Sequence, residues 1–352
     1  MKRFGFRLTC LFLIMLFVLC GCNNTQPVVE SVASHDNLKV HFLDVGQGDS
    51  IFIELPDKET MLIDAGESKY SQGIIDYIKK SGYDRIDYLV ATHPHSDHIG
   101  GMAKVINAFD IGTTYMTNAV STSSTYEKLL QTVADKGKKM TRAKAGVNIK
   151  IEEGLEINFI APVSDTYDDL NNYSAVIKLT YHNNSFIFTG DAQTESEKQI
   201  TADLKADVLK VGHHGSTTST SDAFLKKVSP KYAVILVGEG NDYGHPHKEI
   251  LDRIQKNNVK VYRTDLDGTV VATSDGKDIT FTQSKEQIDE NSSTTDASKP
   301  TFKYVLNTSS KKIHTLDCSA VSKISSDNYG STNDISKAIK DGYEPCKMCN
   351  PE

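Results

Sequence analysis

From Leu38 onward the chain alternates short apolar runs with polar breaks. "LKVHFLDV" (38–45), "SIFIEL" (50–55) and "TMLIDAG" (60–66) are β-favouring runs separated by Gly, Pro and Asp, and each predicts a strand. In "GIIDYIKKSG" (73–82) the period changes: Ile74, Ile75, Tyr77 and Ile78 share a helical face, and Gly82 ends it. "IDYLVATH" (86–93) predicts another strand, followed by the helical "GGMAKVINAF" (100–109). The second half repeats the theme. "LEINFIAP", "SAVIKLTYHNNSFIFTGD", "ADVLKVGHHGS", "YAVILVG", "VKVYRT" and "GTVVAT" carry strands, while "DAFLKKV" and "KEILDRIQKN" carry helices. Two sets of strands with helices between them predict an α/β body with packed sheets. "HNNS" (182–185) predicts a hairpin tip, which makes His182 a turn residue. His41, alternating with Val40 and Phe42, is expected to face solvent.

The ends break this pattern. Lys2, Arg3 and Arg7 precede an uncharged apolar run, Leu8 to Cys20, that is too short for a comfortable membrane span and reads as a signal segment. It closes in Leu19-Cys20-Gly21-Cys22, which resembles the bacterial lipobox. That resemblance implies cleavage before Cys22, lipidation of Cys22, and an extracytoplasmic protein lipid-anchored to the cell membrane. Residues 23–37 then serve as a tether, 38–283 as the main domain, and the Ser/Thr/Asp/Glu-rich 284–302 as a linker. A small unit follows at 303–351.

Composition narrows the reading. The net charge of −7 gives no basic field and argues against a tight nucleic-acid binder, although metals can supply local positive charge to a phosphodiester. No cysteine lies between Asn23 and Asp317, so the main domain is held by its own core rather than by disulfides.

Three of the 11 histidines fall in "HPHSDH" (93–98), directly behind a predicted strand. His93 and His95 alternate and can point the same way to grip one cation; Asp97 and His98, around the turn, can face a second. Two such ions can bridge a hydroxide and support in-line attack on phosphorus or a carbonyl.

With Asp64 in "LIDAG" and Asp191 in "FTGD", this motif resembles the metallo-β-lactamase superfamily across about Leu38 to Gln283. The resemblance implies an αββα sandwich. Within the superfamily, "LDVGQGDS" (43–50), "LKVGHHGS" (209–216) and "YGHPH" (243–247) are similar to the extracytoplasmic hydrolase domain of the ComEC family of DNA-uptake proteins, and to secreted phosphorylcholine esterases. Carried onto this chain, the resemblance implies that His93 and His95 hold one metal and Asp97 and His98 the other. Asp191 would bridge them and His245 would complete the second. Asp64 would orient a ligand histidine from behind, with Asp49 in support. Asp97 and at least one of His213 and His214 are expected to act in catalysis, the histidine at the scissile group as proton donor or oxyanion contact. Gln47, Asp49 and Ser50 are expected in a rim loop. His247, before a predicted helix, is expected at the surface or the helix start. The further histidine ligand of many superfamily members is missing; Asn171, Asn172 or Ser174 stands in that stretch, so Zn2+ and Mn2+ both remain candidates.

In the tail, His314 and Cys318 form H-x3-C, and Cys346 and Cys349 form C-x2-C. Four N/S donors suit one structural Zn2+, and the unit resembles the small Ada-like metal-binding module. A Cys346–Cys349 disulfide is the competing expectation. The leading functional expectation is a surface-anchored two-metal phosphodiesterase acting on extracellular DNA or nucleotides, with no obligate protein partner. A phosphorylcholine or teichoic-acid esterase, or a non-catalytic DNA- or wall-binding lipoprotein, are the alternatives.

Overall fold

A computed structural model of the chain describes residues 37–284 and, in the tail, 303–315, 318, 320, 321, 324 and 328–351. The expected signal segment with Cys22, the tether up to residue 36 and the linker from residue 285 lie outside the described residues. Ser284, expected in the linker, instead ends a strand.

The first half runs β1 (Leu38–Phe42), β2 (Ile51–Glu54), β3 (Thr60–Ile63), α1 (Ser71–Lys80), β4 (Arg85–Ala91), α2 (Ser96–Ile99), α3 (Met102–Ala108), β5 (Asp110–Met116), α4 (Ser124–Asp135) and β6 (Met140–Arg142). The second runs β7 (Asn148–Glu152), β8 (Leu155–Ala161), β9 (Val176–Tyr181), β10 (Asn184–Phe188), α5 (Thr194–Gln199), β11 (Val208–Lys210), α6 (Asp222–Val228), β12 (Tyr232–Ile235), α7 (Lys248–Lys256), β13 (Lys260–Arg263), α8 (Thr264–Asp267), β14 (Thr269–Ser274) and β15 (Ile279–Ser284). One sheet has the order β15-β14-β1-β2-β3-β4-β5-β6 and the other β13-β12-β11-β10-β9-β8-β7. The hairpin read at 182–185 is present, with Tyr181 opposite Asn184 and His182 in the turn at φ 49°.

Strand alternation builds the layers. Ile51, Ile53, Met61, Ile63 and Val90 of the first sheet meet Phe186, Phe188, Val208 and Val234 of the second in one shared core. The intervening residues Phe52, Leu62 and Leu89 turn outward, under Ile74 and Ile78 of α1, Val105 and Ile106 of α3 and Leu129 of α4. Ile187, Leu209, Ala233 and Ile235 likewise turn outward beneath Phe224 and Leu225 of α6 and Ile250 and Ile254 of α7. Both faces of each sheet are therefore covered, which is why the central strands read as near-continuous apolar runs. The result is the expected αββα sandwich.

His41 departs from expectation: it is buried, because α1 lays Tyr77 over it. Its ring bonds the Tyr77 hydroxyl at 2.8 Å and Glu54 at 2.9 Å. Burial works to raise the Glu54 carboxyl, but His41, Tyr83 and Lys39 hold it at about 2, below its ordinary 4.5. A depressed carboxyl contributes stability that is present above pH 4.5 and lost as pH falls through about 2. Glu54→Gln should therefore cost about 1–2 kcal/mol at neutral pH after solvent screening, and almost nothing at pH 2. Urea unfolding at stepped pH reads this; a cost independent of pH would sink it.

Three more strands, β16 (Tyr304–Asn307), β17 (Lys312–Thr315) and β18 (Tyr329–Thr332), with α9 (Ile335–Lys340) and the short β19 (Glu344–Pro345), form a separate sheet, β18-β16-β17-β19.

Candidate metal centre

β3 and β4 run parallel in one sheet, and β10, β11 and β12 run parallel in the other. Their carboxyl ends release Asp64, His93, Asp191, Lys210 and His214 toward one edge of the sandwich. The two sheets are joined there by a bond from the Ala175 N–H to the Thr92 carbonyl, 3.0 Å. Side chains from strand ends on both sides thus converge, although they lie far apart in sequence.

Asp64 sits behind the histidines. At φ 58° it leaves β3 in the left-handed region, a conformation a non-glycine residue keeps only where its surroundings hold it. Those surroundings are specific: the Thr92 N–H and hydroxyl donate to its two carboxylate oxygens at 2.9 and 2.6 Å, and His98 Nδ1 lies 2.8 Å from Oδ2. His98 Nε2 is thereby turned toward Asp191 Oδ2 at 3.3 Å and Asp97 Oδ2 at 3.7 Å.

His213 and His214 both take left-handed backbone angles, φ 50° and 53°, so the chain reverses and presents both rings to the same side. His214 Nδ1 donates to the Leu236 carbonyl at 2.9 Å, leaving Nε2 3.3 Å from Asp97 and 3.5 Å from Asp191. Asp97, His98, Asp191 and His214 each offer one ligand atom, all within 4.8 Å of one another. The ligand place expected of His245 is therefore filled geometrically by His214. His245 stands instead on the cavity rim, its ring 6.4 Å from that of His214, because its loop approaches from outside while β11 delivers His214 from beneath. His213 is the outer member of its pair, with Nδ1 bonded to the Thr218 hydroxyl at 3.0 Å and Nε2 3.6 Å from Asp191. His247 starts α7, where its Nδ1 accepts from the Thr217 N–H at 3.2 Å.

On the other flank, His93 Nε2 lies 3.0 Å from His95 Nδ1 and 3.9 Å from Asp191 Oδ2. Asp191 thus borders both groups of histidines. Of the expected rim loop, only Gln47 lines the cavity; Asp49 and Ser50 are 1% and 0% exposed and lie beneath it. The reason is Gly48: a Cβ there would strike the Asp97 carbonyl, so the loop packs directly under α2, and the Asp49 N–H donates to that carbonyl at 3.1 Å. Asp49 Oδ1 is 3.4 Å from His214 Nδ1, and its Oδ2 is 2.5 Å from the ammonium of Lys210.

Lys210 was missed in the sequence. It is fully buried, donates to the Gly190 carbonyl at 2.9 Å, and reaches within 3.9 Å of Asp191. A charged residue inside "ADVLKVG", otherwise a buried strand, was the available signal. A second residue that went unread is Tyr243, 68% exposed at the cavity mouth and stacked on His245 with ring centroids 5.6 Å apart.

The cavity has a volume of about 330 Å3. Its electrostatics favour a cation. Burial works to raise the Asp191 carboxyl, but His98 and His214 hold it well below its ordinary value. For His214 burial works downward, yet Asp191, then Asp49 and Asp97, push it up to about 10. Burial drives His93 well below its ordinary value. The buried Nε2 atoms of His98 and His214 and Oδ1 of Asp191 have no hydrogen-bond partner. Orphaned imidazole and carboxylate atoms clustered beside one cavity are the donor set a divalent cation satisfies.

In the tail, His314, Cys318, Cys346 and Cys349 also offer ligand atoms within 4.8 Å of one another. All three cysteines are free, so the competing Cys346–Cys349 disulfide is not formed. His314 Nδ1 lies 3.4 Å from the Cys318 sulfur, and its buried Nε2 has no partner. The set fits the structural zinc expected there.

The chain is 31% identical over 252 residues to ComE operon protein 3 of Bacillus subtilis (strain 168), covering 66% of this chain and 32% of the relative. It is 30% identical over 260 residues to Competence protein ComA of Neisseria gonorrhoeae, covering 72% and 34%. The chain thus spans about a third of the length of these relatives. Among solved structures, Zn2+-bound PqqB from Methylobacterium extorquens is similar at 11% identity and a TM-score of 0.41, covering 62% of this chain and 85% of that one. Residues 43–239 match the family described as the metallo-beta-lactamase superfamily; that stretch holds the donors of both sheets, from Asp49 to His214, and the chain belongs to this superfamily.

Proposed function

We propose that the chain is a metal-dependent phosphodiesterase acting on extracellular DNA or nucleotides, held at the extracytoplasmic face of the cell membrane through lipidated Cys22. The observation that carries the reading is the orphaned buried donor set of His98, His214 and Asp191 beside an open cavity that Asp97, Asp191 and His214 line. Its similarity to a protein named for competence supports a DNA-related substrate. No described helix is long and apolar enough to cross a membrane.

In this reading His93, His95 and Asp191 would hold one divalent metal, and Asp97, His98, Asp191 and His214 would hold the other. Bound divalent metals supply positive charge for phosphoryl oxygens and make water a better nucleophile at neutral pH. The chain's own groups do the rest. Asp64 fixes the tautomer and direction of His98, and the Leu236 carbonyl does the same for His214. His213, its Nδ1 held by Thr218, presents Nε2 to the cavity, where it can donate a hydrogen bond to the scissile phosphate. Tyr243 and His245 form an aromatic shelf at the mouth on which a base can stack.

The shelf makes a specific prediction. Tyr243→Ala should raise KM for single-stranded DNA roughly 5-fold or more, as loss of one base stack implies, and leave hydrolysis of bis-p-nitrophenyl phosphate unchanged. Equal loss on both substrates would assign Tyr243 to the site's structure instead. The reading as a whole is tested by offering bis-p-nitrophenyl phosphate, linear DNA and p-nitrophenyl phosphorylcholine with Zn2+ or Mn2+. DNA cleavage that EDTA stops supports it. Turnover of the phosphorylcholine ester alone moves the chain to envelope remodelling, and silence on all three leaves a binding lipoprotein.

A further inference from the structure

The two flanks of the cavity are unequal. Four donors meet around Asp97, His98, Asp191 and His214. The opposite flank offers His93 Nε2 and His95 Nδ1, 3.0 Å apart, with Asp191 at its border. Two neighbouring donors on one small divalent ion stand about 3 Å apart, so this pair is spaced to share a cation and lacks a further partner.

The turn at 170–174 supplies one. Four of its side chains carry an oxygen. The Tyr173 hydroxyl accepts from the Tyr167 N–H at 3.0 Å, and hydrogen bonds separate the other three. Asn172 is fully engaged: its Oδ1 accepts from the Gln193 and Ser196 N–H groups at 3.2 and 3.3 Å, and its Nδ2 donates to Glu195 at 3.1 Å. It serves the start of α5. The Ser174 hydroxyl accepts from the Asp191 N–H at 3.1 Å and lies 3.3 Å from His93 Nδ1, on the far side of that ring from the Nε2 that meets His95. It holds the ligands from behind. Asn171 remains: 7% exposed, it lines the cavity, and its Oδ1 has no hydrogen-bond partner. Its backbone is fixed by a bond from its N–H to Asp169 at 2.8 Å and one to its carbonyl from the Ser174 N–H at 3.0 Å. A buried amide oxygen is seldom left unpaired unless a ligand satisfies it.

We propose that Asn171 Oδ1 is a ligand to the metal held by His93 and His95, giving that flank a hard oxygen donor in place of a further imidazole. The proposal rests on the metal-site reading above. Its chemical consequence is selectivity. Amide and carboxylate oxygens suit manganese and magnesium, whereas imidazole suits zinc, so Asn171 tunes this position toward Mn2+.

The test titrates the full chain with Mn2+, reading free Mn2+ by electron paramagnetic resonance, and measures Zn2+ against Mn2+ uptake by elemental analysis after equilibrium dialysis. The thiol-rich tail takes zinc and is common to all variants. The wild type should bind two Mn2+. Asn171→Ala should weaken one of them roughly 10-fold or more and leave the other unchanged, while Asn171→Asp, which keeps the oxygen, should retain both. Asn171→His should shift the flank toward zinc by about 10-fold in relative uptake. Two Mn2+ bound by Asn171→Ala at wild-type affinity, or an unchanged preference in Asn171→His, would overturn the assignment and leave the metal-site reading standing. A wild type that takes up neither metal beyond the tail's zinc overturns both.

Discussion

Asp97→Ala should reduce phosphodiester hydrolysis by about 10^3-fold or more, roughly 4 kcal/mol of transition-state stabilisation, while the protein unfolds at the same urea concentration as the wild type. The first half follows from its place in the four-donor group, with its carboxylate 3.3 Å from His214 Nε2 and 3.7 Å from that of His98. The second follows from its exposure. The Asp97 side chain is 29% exposed at the start of a short helix, and what the neighbouring loop grips is its backbone carbonyl, which alanine keeps. Burial works to raise its carboxyl, but His98 and His214 hold it well below the usual range, so it is an anion at any pH where the enzyme would be assayed. Activity retained within a few-fold at saturating metal would remove Asp97 from the site.

Lys210→Met should have the largest effect on stability, about 3–5 kcal/mol, because it strands a buried carboxylate rather than because it removes an attraction. Asp49 is 1% exposed and Lys210 fully buried, and the ammonium lies 2.5 Å from the carboxylate. Removing the carboxylate as well, in Asp49→Asn/Lys210→Met, should restore most of the loss, giving a strongly non-additive cycle. Urea unfolding of the two single variants and the pair measures this. Additive losses would mean that the two residues act separately.

The short apolar runs were enough to foretell an α/β body with packed sheets, because strands buried on both faces leave such runs; the αββα layering came from the family resemblance. They said nothing of β5, where "DIGTTYM" carries glycine and threonines. The donor motif "HPHSDH" was legible because its residues are neighbours in sequence. What was illegible depends on approach from another part of the chain. His214 and His245 are equally histidines in glycine-rich segments, and only the paired left-handed residues at 213 and 214 reveal which ring is thrown inward. His41 looked solvent-facing because period alone cannot see Tyr77 arriving from a helix. The turn at 170–174 offered three candidate oxygens, and only their hydrogen bonds to a later helix and a later strand end tell them apart.

The division of the donors between two sheets has a consequence for the order of events during synthesis. Asp64, His93, His95, Asp97 and His98 emerge together, in the first half of the chain, but Asp191 follows only after six further strands have been made, and Lys210 and His214 come with and after a seventh. The strand that flanks β1, β14, comes later still. A nascent chain therefore carries its histidine cluster for a long interval without the carboxylate that both groups share. A cation held by donors of both sheets could be captured only once the sandwich has closed, so its binding would report that folding has finished.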